Sequence, residues 1–587
     1  MNLFIDWETF YSRKDKYDLR ELSVVEFVRD QRFRAMGLAY AIDDATARWI
    51  SGSDVPGWIR TIDWSNATVV AQNCKFDSLI LAEHYGVVPA RYVDTKALAK
   101  AVLGKTVKGF SLKTLAEHFG LEPKGELKTD GLRELTAVQE AELASYCLHD
   151  VELCRGIYKR AIEEFPIAQL PVMDWTIRTF VQPKLRLNVD KLEKAAVEEA
   201  ARRDAVIAAS GYPKEVFSSN PKFAALLEEK GYEVPKKKSP RTGEEIPAFA
   251  LGDVAFQNAK GNAKGVISKL FDARVAAKST LLETRATALA AIGRTGAWPF
   301  DVEFSGATQT HRFSGGGGAG GNPQNFTRGS VLREAVEAPE GYKLVVGDFS
   351  NIELRLVAYL SKDPGLVQAI ENGLDLYCDF ASAFYGRKIT KEDKKERQFG
   401  KTAILGLGYG MGHVKFKNTV RIQTGEDISE EDAQRAVQLY RRKYNKVPGH
   451  WEKLQSSIPA LAKTEYYELP SGLLIRYPNL RREGKEWVYD VWDKSKTKPD
   501  KKKIYGGKLL ENICQALAGE LCKDTALAVK DVLVGQVHDE LILCVPQAQA
   551  NIYAGRLRAA MCKSPSWLPD IKLDCDIHVG INWGMCK

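Results

Sequence analysis

Two short apolar segments that end in acidic residues constrain this chain more than any other feature. A run of branched side chains from Val345 reads as a β-strand that ends at Asp348, and Glu353 follows five residues later. Far downstream, Asp539 and Glu540 lie in a tight turn between two apolar strands. Carboxylates from separate strand ends can hold two magnesium ions, which bind the attacking and leaving oxygens of a phosphoryl transfer. Acids at strand ends are common, so the pattern favours a two-metal site without establishing one.

Composition bounds the class of protein only loosely. At 587 residues the chain is long enough for several domains, each with its own core. The net charge of +8 is compatible with a polyanionic partner, and equally with an enzyme that carries surplus lysines. The ten cysteines show neither zinc spacing nor a secreted disulfide pattern. Without a signal peptide or an apolar run of membrane length, we expect a cytoplasmic protein with no membrane partner.

Hydrophobic periodicity divides the chain into regions. It predicts α/β structure over residues 1–165, mainly helices over 166–300 (clearest at 191–207, 222–230 and 266–292), and helix-rich structure over 361–500. The last region, 501–587, reads as a helix, a β-hairpin and a final strand. The basic segment 236–243 predicts a solvated loop, with phosphate contact as the alternative. The glycine-rich run 315–321 could be a flexible linker.

In their order along the chain, the two acid-bearing segments resemble motifs A and C of the family A (DNA polymerase I-like) DNA polymerases. Residues 308–314 and 322–326 resemble the family's Thr-x-Thr-x-Arg-x-Ser and Asn-x-Gln-Asn segment, with the glycine run as a lengthened spacer. In relatives this segment lies along the primer-template minor groove, where Asn and Gln suit acceptors that every base pair presents. The resemblance implies DNA contacts by Arg312, Asn322, Gln324, Asn325, Gln515 and His538.

Residues 397–410 resemble the motif B helix of the fingers. Arg397, Lys401, Leu405 and Tyr409 recur every four residues, so we predict one helical stripe. Taken alone, such a stripe is typical of an amphipathic surface helix. The resemblance implies that Arg397 and Lys401 meet the nucleotide triphosphate and that Tyr409 lies beside the template base. Leu405 departs from the family's Phe or Tyr and offers no aromatic face. The implied nucleotide contacts are Arg397, Lys401, Leu405, Tyr409, Glu353 and Tyr377.

Within these motifs the resemblance assigns catalytic roles. It implies that Asp348 and Asp539 bind metal and that Lys401 acts on the leaving group. Glu353 matches the residue that excludes a ribose 2′-hydroxyl. Glu540 is expected to support the primer end together with His538.

The amino-terminal region carries a second set of acids. Asp6 and Glu8 lie two residues apart on one face of a strand, and Asp77 follows another strand. Tyr146 and Asp150 lie one helical turn apart. Four acids from three segments can bind two metals, and a tyrosine can orient water. These segments match the Exo I, II and III motifs of DEDD-type 3′–5′ exonucleases in the tyrosine version, which implies active proofreading.

The resemblance covers nearly the whole chain and implies a multidomain α/β and α+β fold. A ribonuclease H-like exonuclease domain (1–165) is followed by a right-hand polymerase with a thumb (166–300), a palm (301–360 and 501–587) and fingers (361–500). We expect no 5′-nuclease domain, as in bacteriophage replicative polymerases. The expected cofactors are two Mg²⁺ ions at each site, which Mn²⁺ could replace. The expected partners are primer-template DNA, dNTPs and a helicase, single-strand-binding protein or processivity factor, in the cytoplasm of an infected host.

Three other functions compete with this interpretation. An exonuclease with a non-catalytic polymerase body is disfavoured because Asp348, Lys401 and Asp539 are intact. A single-subunit RNA polymerase conflicts with Glu353 and with the exonuclease acids. A non-enzymatic nucleic-acid clamp predicts lost acids. Primer extension with dNTPs and then with rNTPs discriminates among them.

Overall fold

A computed structural model describes residues 1–127, 129–239, 243–493 and 495–586. The chain forms two compact units. The first unit comprises Met1–Leu187, Ala291–Lys362 and the chain from Gly449 onward, and the second comprises Asn188–Ala290 and Asp363–Pro448. Among the described residues, no helix is both long enough and apolar enough to cross a membrane.

The amino-terminal part of the first unit is built on a five-stranded mixed sheet. Its central strand, Asn2–Thr9, pairs antiparallel with Ala35–Ile42 and parallel with Thr68–Ala71. Arg48–Ser51 and Arg91–Asp94 form the edges. Leu3, Phe4 and Ile5 are all buried, as expected for a strand that is covered on both faces. The helices of this part are Val24–Arg29, Val55–Ile59, Lys75–Tyr85, Thr95–Leu103, Leu112–His118, Ala137–Glu164 and Leu170–Val181.

The second sheet of the first unit has four antiparallel strands, in the order Leu533–Val537, Glu540–Pro546, Tyr342–Phe349, Cys575–Gly580. We call it the palm sheet. The long helix Gly506–Ala528 belongs to the same unit and is buried along most of its length. Its other helices are Val331–Glu334, Ile352–Ser361, Ala550–Met561 and most of Lys446–Thr464.

Small strand pairs complete the first unit. Residues 466–504 contain five short strands, so the helix-rich stretch predicted to continue to residue 500 ends earlier, at Thr464. Branched and aromatic side chains such as Val488 and Tyr489 explain why this basic stretch forms sheets instead. The strands are Arg186–Leu187 with Val336–Glu337, Val302–Ala307 with Arg312–Gly315, Tyr466–Glu468 with Leu474–Arg476, and Arg481–Glu483, Glu486–Val491 and Asp500–Ile504.

The glycine-rich run is packed and is no flexible linker. The backbone amide of Gly316 donates to the backbone oxygen of Asp301 at 3.0 Å. The backbone amide of Gly318 donates to the Asp301 carboxylate at 2.8 Å. A Cβ atom at Gly316 would overlap that carboxylate, so the close approach requires glycine. The indole of Trp298 donates to the backbone oxygen of Ala319 at 3.0 Å.

The second unit is mainly helical, around a phenylalanine-rich core that includes Phe217, Phe223 and Phe271. The segment 266–292, predicted to be helical, forms two helices that are separated near Ser279. Lys236–Lys238, predicted to be loop, pairs with Glu245–Pro247, while residues 240–242 of that prediction lie outside the described residues. The helices are Val189–Ala208, Lys214–Ser218, Asn220–Glu229, Val254–Asn262, Gly265–Lys278, Leu281–Thr295, Pro364–Glu371, Leu376–Tyr385, Lys394–Leu407, His413–Thr424 and Glu430–Lys443.

Candidate active sites

The palm sheet brings the predicted metal-binding acids together. Asp348 lies near the end of its strand, directly opposite Glu540 in the neighbouring strand. Asp539 lies in the hairpin turn just before Glu540, where His538 adopts a left-handed backbone conformation with φ of 52°. The backbone amide of Phe349 donates to the backbone oxygen of Asp539 at 3.2 Å. Asp348 and Asp539 therefore occupy the same end of two adjacent strands, as the sequence predicts.

Two arginines hold these carboxylates. Arg312 contacts Asp539 Oδ1 with Nη2 at 2.5 Å and Glu353 Oε1 with Nη1 at 3.1 Å. Arg328 contacts Asp348 Oδ2 at 2.5 Å. Burial raises the pKa of Asp539, the positive charge of Arg312 opposes the rise, and the nearby charge of Asp348 adds to it. Two carboxylates this close repel each other, so neighbouring cations stabilise their charged forms.

Glu540 has different surroundings from the two aspartates. Its carboxylate is 4% exposed, accepts hydrogen bonds from Arg333 Nη1 at 3.1 and 3.2 Å, and accepts another from Trp583 Nε1 at 2.5 Å. The Arg333 guanidinium lies over the Trp583 ring, 4.0 Å from its centroid. These contacts hold Glu540 in a buried cluster beneath the turn.

Several of the residues predicted to contact DNA lie at the same turn. Gln324 bridges the hairpin, because its Nε2 donates to the Gln536 backbone oxygen at 3.0 Å and its Oε1 accepts from the His538 amide at 2.7 Å. Asn322 Oδ1 accepts from the Gln324 amide at 2.9 Å. Asn325 is exposed, and Gln515 is half-buried on the helix Gly506–Ala528.

The predicted nucleotide contacts other than Glu353 belong to the second unit. Lys401 and Leu405 share an exposed face of the helix Lys394–Leu407 with the half-buried Arg397. The predicted stripe is wrong for Tyr409, because the helix ends at Leu407 and the glycines 406, 408 and 410 favour a turn there. Arg397 Nε donates to Asp375 Oδ2 at 2.9 Å and lies 5.4 Å from the centroid of the largely buried Tyr377 ring.

The second acidic site lies at the end of the amino-terminal sheet. Asp6, Glu8 and Cys147 present ligand atoms within 4.8 Å of one another. The Cys147 thiol donates to Asp6 Oδ2 at 3.3 Å. Asp77, in the first turn of Lys75–Tyr85, accepts from the Trp7 amide at 3.3 Å. The structure thus brings the acids of the strand Asn2–Thr9 and of the helix Lys75–Tyr85 to one site, as the sequence predicts.

The long helix Ala137–Glu164 adds Tyr146 and Asp150 to this site. Asp150 Oδ2 accepts a hydrogen bond from the Lys124 ammonium, while its Oδ1 is buried without a hydrogen-bond partner. Burial raises the pKa of Asp6 to about 7 and raises that of Glu8 and Asp77 as well, and neighbouring carboxylates add to each rise. An unpartnered buried oxygen within such a cluster fits a divalent cation, whose preferred ligands are carboxylate oxygens.

Several site residues escaped the sequence analysis: Lys124, Cys147, Arg328, Arg333, Asp576 and Trp583. Asp576 lies opposite Asp348 in the fourth palm strand. Apart from Cys147, each lies in a segment without a recognisable catalytic motif. Only contacts between residues far apart in the chain place these side chains at the sites. The adjacency of Cys147 to Tyr146 was the one local signal that could have found one of them.

With this geometry in place, comparison with known proteins identifies two domains. Residues 301–484 match DNA polymerase family A, and residues 33–162 match a 3′-5′ exonuclease family. Together the two matches cover just over half of the chain. Domains of these families depend on divalent metal ions.

Individual relatives agree with these matches. The DNA polymerase of Bacillus phage SP02 is 24% identical over 98% of this chain and 98% of its own length. The thermostable DNA polymerase I of Thermus thermophilus is 29% identical, and the match covers 45% of this chain but only 30% of that longer protein. A solved structure, the POL domain of Pol1 from M. smegmatis in complex with DNA primer-template and dNTP, shares the fold with a TM-score of 0.69. It is 20% identical, and the likeness covers 94% of each chain.

The chain is thus a DNA-directed DNA polymerase that contains a family A polymerase domain and a 3′–5′ exonuclease domain. The alternative of an exonuclease with a non-catalytic polymerase body is therefore disfavoured by the comparisons as well as by the intact acids.

Proposed function

We propose that this polymerase extends a primer 3′ end with dNTPs on a DNA template and removes misincorporated nucleotides at its second acidic site. The observation that carries the proposal is that each site is complete: every predicted acid is present and reaches its cluster. A site that had lost its function would be free to lose such buried, mutually repelling acids, because they are costly to keep.

At the polymerase site, Asp348 and Asp539 would hold the metal ions. When bound, two divalent cations, with Mg²⁺ proposed and Mn²⁺ as its substitute, activate the primer hydroxyl and stabilise the charge on the leaving pyrophosphate. Glu353 would close the space beside the sugar 2′ position. Glu540 would hold the turn that carries Asp539, since its own carboxylate is enclosed by Arg333 and Trp583.

The remaining roles at this site follow the family resemblance. Arg397 and Lys401 would bind the triphosphate, and Leu405, Tyr409 and Tyr377 would line the nucleotide site. Arg312, Asn322, Gln324, Asn325, Gln515 and His538 would follow the primer-template minor groove. We also propose residues 166–300 as the thumb, 361–500 as the fingers and the two remaining polymerase segments as the palm.

At the exonuclease site, Asp6, Glu8, Asp77 and Asp150 would hold the metal ions. The Tyr146 hydroxyl would orient the attacking water from its place one helical turn before Asp150. The likeness to a phage polymerase of nearly equal length supports a replicative role in an infected bacterial host, with a helicase, single-strand-binding protein or processivity factor as partner.

A pair of variants tests the proposal. Asp539→Asn should abolish primer extension but leave the degradation of single-stranded DNA intact. Removing one charge from a two-metal site should remove about 3 to 4 kcal/mol of transition-state stabilisation. Asp6→Ala with Glu8→Ala should have the reverse effect. Near-normal extension by the Asp539 variant, or trimming of a mismatched primer at the wild-type rate by the double variant, would refute the corresponding site.

A further inference from the structure

Lys124 places a positive charge inside the exonuclease site. It lies in the segment between the helices Leu112–His118 and Ala137–Glu164. Its ammonium donates to Asp150 Oδ2 and lies 4.5 Å from the centroid of the Tyr146 ring. Its side chain is only 23% exposed, against 6% for that of Asp150. Lys124 thus touches both residues that the long helix contributes to the site.

The charge of Lys124 acts on the whole acid cluster. Burial raises the pKa of Asp6, Glu8 and Asp150, and the positive charge of Lys124 opposes that rise at all three. In the absence of metal, the ammonium therefore serves as a counter-ion to carboxylates that burial disfavours. A divalent cation at the free Oδ1 of Asp150 would lie close to the ammonium on Oδ2 and repel it, so cation binding competes with this contact.

A lysine released from Asp150 stays at the site. Its stem is flexible and its ammonium is a compact point charge that binds phosphate well. The scissile phosphodiester must lie against the acids and Tyr146, which is also where Lys124 lies. Negative charge grows on the phosphate oxygens during attack by water, so a cation there stabilises the transition state more than the ground state.

We propose that Lys124 is a catalytic residue of the exonuclease site, which holds Asp150 in the metal-free state and binds a non-bridging oxygen of the scissile phosphodiester when DNA is present. The inference rests on the proposed exonuclease function. Water adds to phosphorus as the bond from phosphorus to the 3′ oxygen breaks, which yields a nucleoside 5′-monophosphate and a new 3′-hydroxyl. Lys124 keeps its protons throughout.

Two measurements on the full chain test this role. Lys124→Met and Lys124→Arg are compared with Lys113→Met, which removes the same charge from an exposed position on the helix Leu112–His118. Mn²⁺ binding without DNA is followed by electron paramagnetic resonance in chains that also carry Asp348→Asn and Asp539→Asn. Excision of a single-stranded oligonucleotide at saturating Mg²⁺ gives kcat and KM separately.

We expect Lys124→Met to bind Mn²⁺ several times more tightly, because the competing cation is gone, and to lower kcat about a hundredfold with a smaller change in KM. Lys124→Arg should recover most of kcat, and Lys113→Met should match the wild type in both measurements.

Weaker Mn²⁺ binding by Lys124→Met would mean that the lysine only holds Asp150 in position for the metal. An unchanged kcat would mean that the lysine does not bind the scissile phosphate. Either result, with an active wild type, overturns this inference alone. A wild-type chain that excises nothing would instead overturn the proposed exonuclease function, and the inference with it.

Discussion

At the scale of single residues, Arg312 links two tasks of the polymerase site. One guanidinium contacts Glu353, which we propose faces the sugar, and Asp539, which we propose binds metal. Any change at Glu353 therefore alters the space beside the sugar and also the restraint on Arg312. A variant that keeps the size of Glu353 but removes its charge separates these effects.

Glu353→Ala should admit ribonucleotides, because it opens space where a 2′-hydroxyl would clash. We expect the preference for dNTP over rNTP to fall about tenfold or more, as for other pockets that discriminate by size. Glu353→Gln, which keeps the bulk, should retain most of the preference. The ratio of kcat/KM values in single-nucleotide extension measures it, and equal ratios for Glu353→Ala and the wild type would remove Glu353 from the sugar site.

His311, next to Arg312, should make stability depend on pH. Its ring is fully buried, and its Nε2–H donates a hydrogen bond to the Leu474 backbone oxygen at 2.9 Å. Burial lowers the pKa of His311 from 6.5 to about 4, and the charge of Lys523 adds to this effect. Because the unfolded chain binds the proton more readily, stability is fully present above pH 6.5 and is lost as pH falls towards 4.

The loss due to His311 should reach about 2 kcal/mol between pH 6.5 and pH 5. His311→Asn, which tolerates the left-handed backbone (φ 55°), should flatten that part of the pH dependence. Denaturant unfolding of both chains across this pH range measures the difference. Parallel pH profiles for the two chains would show that His311 does not titrate in this way.

At the scale of elements, the hairpin that carries Asp539 depends on support from below. Arg333 and Glu540 are each 4% exposed, so each charge relies on the other and on the Trp583 indole. The support comes from three separate segments, and this explains how a two-residue turn can hold a catalytic acid in place. A turn that lacked it would be free to shift Asp539 relative to Asp348.

Arg333→Met should therefore lower the free energy of unfolding by about 3 to 5 kcal/mol, the usual result of leaving a buried charge unpaired. Arg333→Met combined with Glu540→Met should be less damaging than the sum of the single changes, because the two residues interact directly. Denaturant midpoints of the four chains give the coupling. Additive losses would contradict a direct pair, and primer extension by the double variant reports whether the turn still holds Asp539.

The elements themselves were largely predictable, whereas their ends and supports were not. Apolar runs such as Ala35–Ile42 and Thr68–Ala71 become strands because branched and aromatic residues favour that state. Tyr409 continues the four-residue spacing of Arg397, Lys401 and Leu405, but spacing alone does not show that the glycines end the helix at Leu407. Arg328 and Arg333 could not be predicted as partners of Asp348 and Glu540 for another reason. These contacts join residues far apart in the chain, and no local sequence pattern indicates such contacts.

At the scale of the first unit, the exonuclease and palm regions are joined through buried charges. Lys75 and Asp301 pair at 2.5 Å with side chains 15% and 5% exposed, and Lys75 also donates to the Val302 backbone oxygen at 2.7 Å. Lys100 and Glu303 form a second pair at 2.7 Å in which the acid is 33% exposed. Lys75 begins the helix that carries Asp77, so the segment that we propose as palm helps to position a proposed exonuclease acid.

Because Asp301 is more buried than Glu303, we expect the loss of the first pair to lower the stability of the protein more than the loss of the second. Asp301→Asn leaves Lys75 as a buried cation without its anion, and it keeps only one oxygen for the two donors Lys75 and Gly318, so we expect a loss of about 3 kcal/mol. Glu303→Gln breaks a more exposed pair and should cost about 1 kcal/mol or less. Both variants conserve side-chain size, so each serves as the control for the other.

Thermal unfolding of the full chain measures the difference, with excision of single-stranded DNA as a second measurement. Asp301→Asn should lower the melting temperature by several degrees more than Glu303→Gln does. It should also slow excision more, since the start of the helix that bears Asp77 loses its anchor. If Glu303→Gln proves equally damaging in both measurements, burial does not decide the strength of this junction, and the exonuclease acids are positioned without help from the palm.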